Sequence, residues 1–378
     1  MKKLLVIFFL LTVTAFTQSD FEDRVQDGIK QIYNIKFDEA ERTFRNLIAD
    51  YPDHPSGRFF LAMIDWWKIL LELDNEDHDD IFFQKLEDVI FQCDEILKKD
   101  RSNVDALFFK GGAIGFRGRL RALRESWLKA ADDGREALPI VERAANLDPG
   151  NLDVQLGFGI YNYYADVIPS EFPLIKPLMI FFPSGDKKKG IEQLRNTAFN
   201  GKYAKYEAQY FLMTLYWRYE GDMFAADEFA GMLTDEFPDN PVFQRWRGRI
   251  AVRKGDWITA DSLFKDVIYK AEKNLPGYNL PSSMRESTYY VGYKARDNGL
   301  IDSAKTMFEK CLELSKKIDK KQESGFQVNA LVYLAMIEEQ QGRTESAIAM
   351  YERVLKMRDY GNSHSIARTS INSLKRGG

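Results

Sequence analysis

The sequence predicts an all-α protein, an α-solenoid (superhelix) of about eight helix-turn-helix repeats, on three observations. First, six times an alanine is followed by an apolar residue at +4 and another at +7: Ala40/Phe44/Leu47, Ala137/Val141/Ala144, Ala226/Ala230/Leu233, Ala260/Phe264/Val267, Ala304/Phe308/Cys311 and Ala347/Tyr351/Val354. Such residues share one helix face, and a small residue there lets a neighbouring helix approach closely. Second, helix-stop signals recur at Gly221-Asp222, Gly255-Asp256, Asn298-Gly299 and Gly342-Arg343. Third, Pro52, Pro149 and Pro238 close three segments; a proline cannot continue the second helix but can begin the next turn. One face recurring along a chain is buried only when each unit stacks on the next.

Taken in order, residues 1–19 carry Lys2 and Lys3, an apolar run from Leu4 to Phe16, and the small residues Ala15 and Thr17. This reads as a bacterial-type secretory signal peptide cleaved near residues 17–19. The run falls short of the roughly 20 residues that span a bilayer. No cysteine lies near the cleavage site to take a lipid. The expectation is therefore an exported protein, periplasmic or extracellular. The solenoid spans residues 20–362, with units beginning near residues 21, 55, 104, 152, 207, 241, 285 and 328. Two of them carry weaker triplets, Val89/Cys93/Ile96 and Gly190/Leu194/Thr197. Three departures interrupt the pattern: a charged loop Asp74–Asp80, an extended first arm Gly111–Lys129, and an apolar insertion Val167–Pro183. The insertion holds four prolines, so it is not one long helix, and its apolar residues must be covered by the array, a partner or a membrane. Residues 363–378 read as a C-terminal capping helix and tail, covering the open end of the last unit.

These units resemble tetratricopeptide repeats, a family of 34-residue helix-turn-helix units with small residues at positions 8 and 20, aromatics near 4, 11 and 24, and proline at 32. The unit at Phe21 places Gly28, Ala40, Phe44 and Pro52 at positions 8, 20, 24 and 32. The unit at Glu207 places Tyr210, Trp217, Ala226 and Pro238 at positions 4, 11, 20 and 32. Gly248, Gly292 and Ala335 fill position 8 in the last three. The resemblance covers essentially the whole chain after the leader. The stretch through the insertion, with Gly185-Asp186-Lys187 and Gly190, is also similar in architecture to the eukaryotic inclusion-body-clearance type of tetratricopeptide protein.

Composition narrows the function. The formal net charge of −4 becomes −6 once the leader with Lys2 and Lys3 is removed, which argues against nucleic acid as partner. Cys93 and Cys311 both fall on the apolar stripe, 218 residues apart, and read as buried small hydrophobes. His54, His78 and His364 lie in different units with no zinc-ligand spacing. The acidic loop departs from a calcium-binding EF-hand, with Asp79 where glycine is required and Lys85 where glutamate is required. The cluster Gly111, Gly112, Gly115 and Gly118 lacks the Lys-Ser/Thr of a phosphate loop. No metal, cofactor or catalytic residue is expected, and the chain reads as a non-enzyme.

The resemblance implies that positions 2, 5, 9, 12 and 13 of each first helix line a concave groove. On this chain they give Phe59, Met63, Trp66 and Trp67; Leu156, Ile160, Tyr163 and Tyr164; Phe211, Leu215, Arg218 and Tyr219; then Arg245, Arg249, Arg253, Tyr289, Tyr293 and Arg296. One half would be aromatic and the other rich in arginine and tyrosine, the residues that most often anchor binding. Arginine among tyrosines suits a carboxylate. The expected function is a scaffold that binds a peptide or protein segment, with acidic groups, in this groove within the bacterial envelope. Charge reversal at Arg245 and Arg249 is then expected to weaken capture without unfolding. The alternative is an envelope assembly factor that contacts membrane or an outer-membrane protein through residues 167–183. Arg117, Arg119, Arg121 and Arg124 form a second basic cluster, for which pairing with local acids such as Asp133 is the simpler reading.

Overall fold

A computed structural model describes residues 20–171 and 183–377, and every regular element among them is helical. The leader 1–19 and residues 172–182 of the insertion lie outside the described residues. The helices are α1 (20–33), α2 (Phe37–Asp50), α3 (Ser56–Leu71), α4 (Asp79–Lys99), α5 (Val104–Leu123), α6 (Trp127–Leu147), α7 (Val154–Glu171), α8 (Lys187–Asn200), α9 (Lys205–Leu215), α10 (Met223–Glu236), α11 (Pro241–Lys254), α12 (Trp257–Glu272), α13 (Pro281–Asp297), α14 (Ile301–Ile318), α15 (Gly325–Gln340), α16 (Thr344–Val354) and α17 (Ser363–Gly377). The first sixteen pair into eight hairpins whose first helices begin within a few residues of the expected unit starts. Among the described residues no helix is long and apolar enough to cross a membrane.

Local sequence explains each hairpin. Gly255 ends α11 at φ +75°, and Asp256 then caps α12 by accepting a hydrogen bond from the Thr259 backbone N at 3.1 Å. Ala260, Phe264 and Val267 point inward, each at most 1% exposed. The small residue at position 8 makes room for the aromatic at 24. A Cβ on Gly28 would fall 2.3 Å from Phe44, and one on Gly248 would fall 2.7 Å from Phe264.

By its contacts the chain divides into two compact units, Met1–Phe237 and Pro238–Gly378. In the second unit, α13, α14 and α15 bury Ala304, Phe308, Cys311 and Leu334. Helix α17 lays Ala367 and Ile371 over Val332, Ala335 and Tyr351 of the last hairpin. Cys93 and Cys311 are both fully buried, and burial pushes each thiol up to about 12, so neither is a thiolate near neutral pH.

The first unit departs from the expected pattern of neighbour-only contacts. Its first hairpin meets its fifth: Tyr33 of α1 lies 5.2 Å from Tyr206 of α9 and 5.2 Å from Phe237, ring centre to ring centre. Its hydroxyl donates to Glu207 at 3.4 Å. Arg119 of α5 also pairs with Glu207. The cause lies in α3 and α9, nearly all of whose residues are buried. In α3 every residue except Arg58, Leu61 and Lys68 is buried, and such a helix has no face to leave in water. The hairpins close around α3 and α9 rather than leaving them along an open channel.

Candidate functional site

The expected aromatic half of the groove is the interior of the first unit. Trp66 and Trp67 are each 1% exposed. The Trp66 ring sits 5.6 Å from Phe82 and 5.5 Å from Phe116, with the Arg119 guanidinium 4.6 Å from its centre. Trp67 packs 4.8 Å from Tyr33. Tyr163 is fully buried and donates to Glu220 at 2.7 Å, and Tyr164 contacts Tyr219 at 5.9 Å. Burial pushes the Tyr164 hydroxyl up to about 12. Arg218 is exposed, beside the Tyr219 ring. Trp66, Trp67 and Tyr163 therefore serve as core residues, because closure of the unit covers the face they share. The arginine cluster on α5 is largely absorbed too: Arg117 donates to Asp133 at 2.9 Å and Glu87 at 2.7 Å, and Arg124 donates to Asp79 at 2.6 Å.

Of the arginine–tyrosine half, Arg245, Arg249 and Arg253 lie on α11 and Tyr289, Tyr293 and Arg296 on α13, in the second unit. Here the chain supplies its own carboxylate. Arg245 donates to Glu286 at 2.8 Å and to Ser283 Oγ at 2.7 Å, and Arg249 donates to the same Glu286 at 2.7 Å. The Glu286 side chain is 2% exposed. Burial alone would raise its carboxyl, but the Arg249 and Arg245 guanidiniums outweigh that and hold it at about 2. The expectation that reversing these arginines spares the fold is thus corrected: a carboxylate at 245 or 249 would lie buried against Glu286. Glu286 was missed as a functional residue, yet its signal was present. It occupies position 2 of its repeat, on the same face as the two arginines.

Towards the C-terminal ends of α11 and α13 the face changes. Tyr293 stacks on Trp257 at 4.5 Å, and Arg296 lies 4.3 Å from the centre of the Tyr333 ring and 5.4 Å from that of Tyr293. Arg296 also contacts the Met336 sulfur at 3.4 Å. Tyr289 sits deeper, against Phe326 at 5.3 Å, and burial pushes its hydroxyl well up. Arg253 is exposed. Among the described residues no carboxylate lies within ion-pair distance of Arg296, whose guanidinium is flanked by two aromatic rings and remains partly open to solvent. This arrangement can hold a carboxylate by charge and by parallel N–H donors while the rings fix the guanidinium plane.

Residues 329–357, from within α15 to just beyond α16, match the family described as tetratricopeptide repeat. No curated protein matches the chain. Among solved structures, the Cut9–Hcn1 hetero-tetramer of the APC/C aligns at 14% identity and a TM-score of 0.41, over 89% of this chain and 73% of that one. The C-terminal part of a repeat-containing protein from Cytophaga hutchinsonii aligns at 16% and 0.37, over 81% and 99%. Human IFIT1, solved as a dimer with m7Gppp-AAAA, aligns at 12% and 0.41, over 94% and 85%. Residues 329–357 thus carry one tetratricopeptide repeat, and the eight hairpins, with a small residue of one helix facing the core side chains of the next, repeat the same helix-turn-helix plan along the chain.

Proposed function

We propose that the chain is a non-catalytic scaffold that binds an acidic protein segment on the second unit, with Arg296 as the anchor. The observation that carries this reading is the Arg296 guanidinium, held between Tyr293 and Tyr333 with no carboxylate within ion-pair distance among the described residues, Asp297 being paired with Lys294. Arg245 and Arg249 do not serve this role, since Glu286 already occupies them. Arg253, exposed on α11, extends the positive face. The leader with Lys2, Lys3 and its apolar run supports work in the bacterial envelope. The alternative contact with membrane or an outer-membrane protein rests on residues 167–183, of which 172–182 lie outside the described residues.

Affinity capture from the native envelope with the wild-type chain and with Arg296→Glu, followed by mass spectrometry, tests the binding site. A charge-assisted contact is worth about 1.5–3 kcal/mol, so loss of this anchor weakens the partner by roughly 10–100-fold. Partners retained equally by the variant overturn the assignment. Fractionation with the intact mass of the mature chain tests export.

A further inference from the structure

Closure of the first unit creates a cavity of about 670 Å³ at the end of the hairpins where each second helix hands over to the next first helix. Its walls come from α1, the α2–α3 turn, the start of α5, the α6–α7 turn, and the end of α8 with the α8–α9 turn, and it exists because the first hairpin meets that last turn. Gln26 Nε2 donates to the Lys202 carbonyl at 2.7 Å, and the Lys202 ammonium reaches Glu22 at 2.5 Å. A void of this size lies within the range of small-molecule sites.

The lining decides what it can hold. Four carboxylates face it, from Glu22, Asp105, Asp148 and Asp153, against one lysine, Lys202. Two of the four are occupied. Lys202 covers Glu22, and Asp153 accepts from the backbone N of Tyr203 and of Ala204, both at 2.9 Å. Two remain. Asp105 meets the His54 ring at 3.5 Å and lies within the field of the Lys202 ammonium, and the Asp148 carboxylate has no hydrogen bond or ion pair among the described residues. The helix N-termini that open here would attract an anion, but Asp153 and Asp105 already stand at two of them and repel one. The remaining lining includes Phe21 and Tyr51, ring centres 4.9 Å apart, and Tyr203. Aromatic rings beside carboxylates that outnumber the local cations favour a cation with an apolar stem.

We propose that this cavity binds an organic cation, an alkylammonium or guanidinium on an aliphatic stem, held by Asp105 and Asp148 against the rings of Phe21, Tyr51 and Tyr203. Both a free polyamine and the lysine or arginine side chain of another protein carry that chemistry. The site is independent of the Arg296 face and has the opposite charge preference, so either can fail alone.

Calorimetric titration of the full chain with spermidine, with N-acetyl-lysine amide and with inorganic phosphate tests it. Spermidine or the lysine amide binds saturably and phosphate does not. Asp105→Asn and Asp148→Asn each weaken the cation about tenfold or more, which corresponds to at least about 1.4 kcal/mol. Asp148 is exposed, so its variant keeps the helical circular dichroism of the wild type even if the Asp105 variant does not. Lys202→Met removes a competing ammonium and tightens binding several-fold, a gain that a merely structural role for these acids does not produce. Tighter binding of spermidine identifies a free polyamine, and tighter binding of the amide a side chain. Absence of saturable binding up to about 10 mM of either cation, or binding unchanged in the Asp148 variant, overturns the proposal.

Discussion

Gly248 and Gly231 both sit inside helices, yet their surroundings differ in a way that sets opposite outcomes. A Cβ on Gly248 meets the fully buried Phe264 ring at 2.7 Å, whereas nothing lies within 4 Å of one on Gly231. Gly248→Ala is expected to destabilise by about 1–3 kcal/mol through overpacking. Gly231→Ala should stabilise by about 0.5–1 kcal/mol, because the helix gains a better former with no clash. Denaturant titration of the two variants checks the pair, and equal signs would contradict the packing account. Glu286 supplies a second residue-scale test, with a pH signature. Its folded carboxyl is held at about 2, below the ordinary value of 4.5. A depressed carboxyl contributes its full stability above 4.5 and loses it as pH falls towards 2. Glu286→Gln should therefore cost about 3 kcal/mol near pH 7, with two guanidiniums left without their charge partner. The gap to wild type should close between pH 4.5 and 2, which chemical denaturation at stepped pH measures.

At the scale of the element, short-range signals set the hairpins. Asn240 caps α11, its side chain accepting from the Val242 N at 2.9 Å and the Phe243 N at 3.3 Å, and Pro241 takes the first helical position. Asn240 is fully buried, so Asn240→Ala leaves two orphan donors without water and is expected to cost about 1–2 kcal/mol. A lower thermal midpoint with unchanged helical content at 25 °C would agree; an unchanged midpoint would not. Such caps, and the alanine triplets, can be read from sequence because every partner lies within seven residues. The Glu286 pairing was harder. It joins residues 41 and 37 positions apart on separate helices, so only the repeat register reveals it. Trp66 and Trp67 were harder still. Their positions assigned them to a groove, but the register of one hairpin does not state what meets that face after several more.

For the molecule as a whole, the decisive clue was composition around the helix rather than along it. Helix α3 carries apolar side chains on every side, and that excess of buried surface closes the first unit on itself. Tyr33 tests this closure, since it touches Trp67, Tyr206 and Phe237 at once. Tyr33→Ala should cost about 3–5 kcal/mol and shift tryptophan emission to the red as water reaches Trp66 and Trp67. An unshifted spectrum would mean that the first hairpin is not what seals the interior. The two units also divide the chemistry: the first holds a negative cavity, the second a positive face at Arg296.

The bond between the first hairpin and the fifth has a further consequence, in time rather than in space. Tyr33 cannot find Glu207 until 174 more residues have been made. At ordinary elongation rates that delay is on the order of ten seconds or more. An open repeat array could settle as it emerges, hairpin upon hairpin, but this one must wait for its last partner, and contacts so distant in sequence slow the approach to the native state. Throughout that interval the oily side of the earliest helices stays uncovered, which makes the newborn chain a natural client for holding chaperones.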